Sequence, residues 1–389
     1  MNLKQLVVFV IVVTLPLIAA AVEPSVYPSS ESLHLKRTAK GTFYNKENGG
    51  FELLTGIPFD ELHCKNCHSK TGQLADGRPV PDPYTPSCND CHDFTKKPSV
   101  DSPSVCLSCH SRQRSEVVYF NKLPEPKDLT WQDLHERKGM TCISCHTGDD
   151  LHQDASGQAS MLDADGIDAR CEDCHDSTQL TGEHHGIHGD RLACATCHTK
   201  SVLTCNNCHF DTEVAVNGKF KRPISKNRDF MFLVNRKGSG PGGIDQVYPA
   251  TYQSVVYQGK AFYTIAPYAS HTITRRGKAC EECHANERIA EYDSTGTVNI
   301  TKWNEKTRKL DVTTGVIPVP PDWENALAFD FANFVGELTE PGQKDKWVFL
   351  KHGADLTQMM KAYAEPLTQE QLSRLRTPAT SKEHQEVGH

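Results

Sequence analysis

The sequence predicts a mainly α-helical chain with little regular structure, organised around bound cofactors instead of a side-chain core, with a small β element around residues 228–265. Three observations predict it. The 389 residues are only about 41% apolar when Gly is counted and Tyr is not, below the roughly 45–50% of ordinary globular chains. The chain carries 16 Cys and 19 His, far more than its length calls for. Every Cys falls within one repeated pattern, Cys-x-x-Cys-His.

At the N-terminus Lys4 is the one early charge, residues 6–18 are apolar, and Ala19, Ala20 and Ala21 supply the small residues of a cleavage site. Residues 1–21 therefore read as a secretory signal peptide. An uncleaved anchor helix is the alternative, because Val22 prolongs the apolar run. No later stretch approaches the roughly 20 apolar residues of a membrane span, so no membrane span is expected in the mature chain. The expected location is periplasmic or extracellular. A net charge of −7 with 23% charged residues is too balanced for a disordered acidic tail or a nucleic-acid partner, which needs clustered Lys and Arg.

Eight pairs of Cys, each followed at once by His, run along the chain. They are Cys64, Cys67 and His68; Cys88, Cys91 and His92; Cys106, Cys109 and His110; Cys142, Cys145 and His146; Cys171, Cys174 and His175; Cys194, Cys197 and His198; Cys205, Cys208 and His209; and Cys280, Cys283 and His284. The spacing has a chemical reason. Two thiols one helical turn apart reach the two vinyl groups on one porphyrin edge, and the next residue aims its imidazole at the iron, which is the attachment site of c-type haem. A disulfide framework is the ordinary expectation for exported Cys, and zinc sites also use Cys-x-x-Cys pairs. Both leave eight His in register with nothing to do. A thioredoxin-like redox motif needs a single Cys-x-x-Cys beside a βαβ pattern and fails for the same reason. Eight covalently attached haem c groups are the expected cofactors.

Haem also accounts for the composition, since porphyrins are apolar bodies whose burial adds to what the side chains supply. From residue 64 to 284 there are roughly 28 residues per motif, fewer than the ~30 of one βαβ unit, so short helices carrying the motifs are expected, joined by loops such as residues 76–83. The first Cys positions step by 24, 18, 36, 29, 23, 11 and 75 residues, so motifs 6 and 7 are expected to be immediate neighbours. The long last step holds residues 230–234 and 247–257, aromatic and β-branched, read as a hairpin or as a cover for haem faces. Tyr252, Tyr257 and Tyr263 lie in or beside it, as porphyrin packing or as a substrate lining. The expected organisation is a signal peptide at 1–21, an octahaem domain at 22–284 and a haem-free helical region at 285–389 packed on the haem core. Residues 322–334, 358–363 and 368–375 are its predicted helical pieces, and the stretch from Thr377 is polar.

The second axial ligand separates an electron wire from a catalyst, because an iron with His on both sides is closed to substrate. Outside the motifs lie His34, His63, His135, His152, His184, His185, His188, His271 and His352, besides His384 and His389 in the polar tail. His63 directly precedes Cys64 and is better placed to cap a neighbouring haem than its own. One of His184 and His185 suffices, which leaves about eight distal ligands for eight irons. Met231, Met359 and Met360 are the lesser alternative.

An exported chain with eight such motifs resembles the octahaem cytochrome c superfamily of hydroxylamine oxidoreductases and octahaem tetrathionate and nitrite reductases. The likeness rests on the close pair Ala193-Cys-Ala-Thr-Cys-His-Thr199 and Cys205-Asn-Asn-Cys-His-Phe210, and on His271 ahead of Cys280, over about residues 60–285. The chain departs from that group in two ways: every motif ends in His, with no Cys-x-x-Cys-Lys, and no single Tyr is marked for a haem cross-link. The reading is an exported octahaem cytochrome that transfers electrons through mostly bis-His haems in anaerobic respiration. Its partners would be redox proteins, either other cytochromes or a quinol-oxidising complex. Two alternatives stay open. One is a multi-electron reductase of a nitrogen or sulfur oxyanion with one open haem. The other is a homo-oligomer or extracellular filament in which His34 or His352 ligates a haem of the next subunit.

Overall fold

The computed structural model describes residues 31–37, 39–62, 87–96, 100, 102–121, 132–154, 156–163, 166–167, 169–176, 179, 183–216, 229–340, 343–359 and 363–378. The signal peptide, the first motif with His63, the loop at 76–83, Met360 and the two tail His lie outside the described residues.

The expectation of a mainly helical chain is wrong. Strands β1 (Cys205–His209), β2 (Phe230–Arg236), β3 (Gln246–Tyr257), β4 (Lys260–Pro267), β5 (Val298–Asn304), β6 (Lys309–Val312), β7 (Gly315–Pro318), β8 (Leu327–Phe329), β9 (Phe331–Phe334), β10 (Trp347–Leu350), β11 (Leu356–Met359) and β12 (Ala364–Glu365) form three sheets. The largest runs β11-β4-β3-β2-β12, with β1 alongside β3 and β7 alongside β2. Three-stranded β6-β5-β8 and two-stranded β10-β9 complete them.

The centre of the large sheet is the hairpin β3–β4, paired from Ala250↔Pro267 to Tyr257↔Lys260. Its two-residue turn is Gln258-Gly259, with φ of 48° and 73°, the twist that right-handed antiparallel strands need. Phe230, Phe232, Tyr252 and Phe329 meet edge to face, and Tyr263 stacks on Phe329 at 4.2 Å between ring centres. Tyr252 and Tyr263 are thus fully buried among aromatic side chains, so they neither line a substrate site nor cover a porphyrin. Met231 and Met359 are likewise buried in peptide cores.

The miscount has a physical origin. Averaging apolar content over the whole chain hides a partition between motif-bearing loops poor in buried residues and a β region with an ordinary aromatic core. Residues 322–334 show the second error. They supply one helical turn, Trp323–Ala326, and then turn into β8 and β9, because Leu327, Phe329 and Phe331 alternate with polar or small residues, which is a strand's period. Residues 356–359 are also strand, whereas the helix Gln369–Arg376 forms where expected, capped by Thr368 with Gln371.

Candidate haem-binding motifs

Six motifs among the described residues share one local shape. The second Cys and the His close a turn on the first Cys: the backbone N–H groups of His92, His110, His146, His175 and His284 donate to the carbonyls of Cys88, Cys106, Cys142, Cys171 and Cys280 at 2.8–2.9 Å. The sixth motif is itself a helical turn, Cys194–His198. Four turns are latched by the residue just before the second Cys. Ser87, Thr141, Arg170 and Ala279 donate their N–H to Asp90 Oδ2 (3.1 Å), Ser144 Oγ (3.0 Å), Asp173 Oδ2 (2.8 Å) and Glu282 Oε1 (2.8 Å). This is half of a capping box, and it keeps both thiols on one side of a tight turn.

The turns place imidazoles face to face across gaps of one size. His34 stands opposite His110 (ring centres 6.1 Å apart), His152 opposite His92 (5.9 Å), His135 opposite His175 (6.2 Å), His185 opposite His198 (6.3 Å) and His188 opposite His284 (6.2 Å). A metal–imidazole bond is about 2 Å and a ring centre lies roughly 1 Å behind its nitrogen, so two imidazoles on one metal have centres about 6 Å apart. The donor set fits an iron between each pair. Each pair joins a motif His to a non-motif His.

Several Nδ1 atoms are tied back, which leaves Nε2 for a metal. His198 Nδ1 lies 3.0 Å from the Thr274 carbonyl, and His284 Nδ1 lies 3.2 Å from that of Arg374. His135 Nδ1 is 3.1 Å from Asp133 Oδ1, and His146 Nδ1 is 3.2 Å from Asp150 Oδ2. Such partners fix the tautomer and the ring plane. Burial holds His34 and His152 below the ordinary His range. His146 has no second imidazole at the 6 Å spacing among the described residues. The remaining imidazole near its motif is His271, which, like His146, acts electrostatically on Cys142. Its Nδ1 lies 3.6 Å from Glu116, whose hydrogen bond raises the His271 pKa. His352 instead sets Nε2 3.2 Å from the Gly259 carbonyl and faces no motif among the described residues.

The seventh motif is different. Cys205–His209 is a strand, kinked by Asn207 at φ 51°. Asn207 turns its amide away from its own backbone: Nδ2 donates to the Ala332 carbonyl (2.7 Å), and Oδ1 accepts from the Ala332 N–H (2.9 Å). His209 is buried, with Nδ1 2.9 Å from Thr212 Oγ1 and Nε2 3.1 Å from Asn333 Oδ1. Phe334 and Trp347 pack edge-on against the ring. Both ring nitrogens thus have polar partners in this arrangement, which sets the seventh motif apart from the six turns.

Neighbouring motifs come near one another through their thiols. Cys106 hydrogen-bonds Cys142, which falls to about 6, and Cys171 and Cys194 pair in the same way. Cys91 is acted on by Cys109, Cys145 by Cys174, and Cys283 by Cys197; in each case burial is the larger cause of a raised thiol, about 12 at Cys283. Among the described residues these links run through motifs 2, 3, 4, 5, 6 and 8 in turn. Sequence reasoning found every ring in the five pairs but not who faces whom. The latching residue before the second Cys is the signal it passed over.

Residues 55–111 match the family described as cytochrome c7 and related cytochrome c. The chain is also 21% identical over 189 residues to dissimilatory sulfite reductase MccA of Wolinella succinogenes, a match over 42% of this chain and 26% of that protein. The chain therefore spans about a quarter of the length of the curated relative it matches. No solved structure matches. The family match implies covalently bound haem c. Among the described residues, no helix is long and apolar enough to cross a membrane.

Proposed function

We propose that this chain is an exported multihaem cytochrome, periplasmic or extracellular, that relays electrons between redox partner proteins along its Cys-x-x-Cys-His motifs. The observation that carries the reading is the set of five facing imidazole pairs at 5.9–6.3 Å. When bound, the haems supply the reversible one-electron step. The chain's own residues do the rest. His34, His152, His135, His185 and His188 close the second faces to small molecules, which suits transfer rather than substrate chemistry. The thiol contacts bring the attachment edges of successive motifs together, and tunnelling falls steeply with distance, so the chain order becomes the path.

Electron paramagnetic resonance of the oxidised protein tests this. Replacing His34, His135, His152, His185 or His188 by Ala should each convert one low-spin centre to high-spin. Five variants with unchanged spectra would refute the reading. The ring planes sharpen it: His185 and His198 lie within 11° of parallel, which separates the iron d orbitals and predicts a rhombic signal, whereas His34 and His110 cross at 59° and should give a more axial one.

A reductase is the second reading. It is favoured by the similarity to a sulfite reductase and by His146, which meets no second imidazole at the common spacing among the described residues. Sulfite or nitrite would then perturb one high-spin signal, and the His146→Ala variant would lose that response.

A further inference from the structure

One loop, residues 268–274, reaches the ligand sets of three consecutive motifs. It follows β4, and its backbone is held by two buried carboxylates. Glu116, on the helix Ser111–Asn121 that follows the third motif, is 1% exposed. Its Oε1 accepts from Ser270 Oγ (2.7 Å), and its Oε2 accepts from the His271 N–H (3.3 Å) and lies 3.6 Å from His271 Nδ1. Asp133 is 8% exposed. Its Oδ2 accepts from the Ile273 N–H (2.8 Å), and its Oδ1 accepts from the His135 N–H (2.8 Å) and lies 3.1 Å from His135 Nδ1. The loop is further tied by Leu134 N–H to the Ile273 carbonyl and by Thr274 N–H to the His198 carbonyl, both 2.9 Å.

We infer that Glu116 and Asp133 are positioning residues that orient and charge the axial imidazoles His271 and His135, setting the potentials of the haems at motifs 4 and 5 through one shared loop. The inference rests on the axial assignments of the proposed function and adds His271 for motif 4, since it lies near enough to that motif to act on Cys142 although it does not meet His146 at the 6 Å spacing of the five pairs. A carboxylate on Nδ1 locks the ring and makes the other nitrogen a stronger donor. A stronger donor favours the ferric over the ferrous iron and lowers the potential. Burial matters here, because water does not screen these carboxylates as it would at the surface.

The test is a potentiometric titration of the haem-loaded full chain, followed by visible and paramagnetic resonance spectra. Asp133→Asn and Glu116→Gln keep the shape and an acceptor while removing the charge. Each should leave haem number and spin state unchanged and raise one midpoint potential, a different one in each variant. A tenfold change in ferric preference would read as about 59 mV. The double variant should raise two. A merely structural role would lower the melting temperature with no change in potential, and unchanged potentials in both variants would overturn the inference. If Asp133→Asn fails to load its haems, Glu116→Gln decides alone. His135→Ala and His271→Ala separate the two levels. If they turn one centre each high-spin while the carboxylate variants leave potentials unmoved, only the inference falls. If they change no spin state, the axial assignment falls and takes the inference with it.

Discussion

Motifs 6 and 7 are the same five-residue pattern separated by residues 199–204, yet one is a helical turn and the other a strand. Their neighbours differ in one respect. Thr196, just before the second Cys of motif 6, donates its hydroxyl to the Val247 carbonyl at 2.7 Å and leaves the turn free to close on itself. Asn207, at the equivalent place in motif 7, reads both backbone groups of Ala332 and draws the motif into the sheet beside β3 and against β9. A Cys-x-x-Cys-His pattern therefore takes the local shape that its surroundings impose, a closed turn in motif 6 and a strand in motif 7.

The largest effect should come from cutting the string of motifs. Replacing Cys171 and Cys174 by Ala removes motif 5, which links Cys145 on one side to Cys194 on the other. Intact mass should fall by one haem, and haems on the two sides should stop exchanging electrons on the fast timescale, as read by laser-triggered reduction. Replacing Cys205 and Cys208 should leave both the haem number and fast exchange intact. A loss of one haem in that second variant would show that motif 7 is loaded and that the contact between β1 and β9 opens to admit it.

Asn207→Ala should come next. It strands a buried N–H and a buried carbonyl of Ala332 and leaves an alanine, whose methyl makes no local hydrogen bond, in the left-handed region, at a cost of about 2–4 kcal/mol. Thr196→Ala, the matching change in motif 6, should cost about 1 kcal/mol. Denaturant midpoints measure both, and equal costs would erase the distinction. A smaller effect is expected for Asp173→Ala, which opens the latch of motif 5 by removing one acceptor at 2.8 Å, about 1 kcal/mol by analogy with helix caps.

Much of the haem half was legible because its determinants are local. Five residues define each attachment site, and the surplus of His announced the second ligands before any could be paired. Pairing was illegible because it is long-range: His34 meets His110 and His188 meets His284, and nothing in the spacing of either encodes it. The sheets were missed for the opposite reason. Leu327, Phe329 and Phe331 carry a plain period of two, but eight apolar porphyrins account for a low apolar content without any sheet. β7, β11 and β12, which complete the large sheet, are short strands whose partners lie far away in sequence.

The smallest effect is a pH dependence confined to motif 7. Burial holds His209 below its ordinary value of 6.5, although Asp211, 3.5 Å from Nε2, and the hydrogen bond with Asn333 oppose the shift. In the unfolded chain this His titrates near 6.5, so between that value and its lower folded value the unfolded state binds more protons. Stability must then rise with pH across that window. The contribution of the neutral buried ring is complete above about pH 6.5 and is lost as the pH falls through the window. A His held by iron in motif 6 would instead be protected from protonation by its metal bond. Urea unfolding of wild type and His209→Gln between pH 7.5 and 5 checks this, with the expectation that the wild type loses stability more steeply on acidification. Parallel slopes would mean that His209 does not titrate on unfolding, as expected if its Nε2 were bound to iron, and motif 7 would then rejoin the other six.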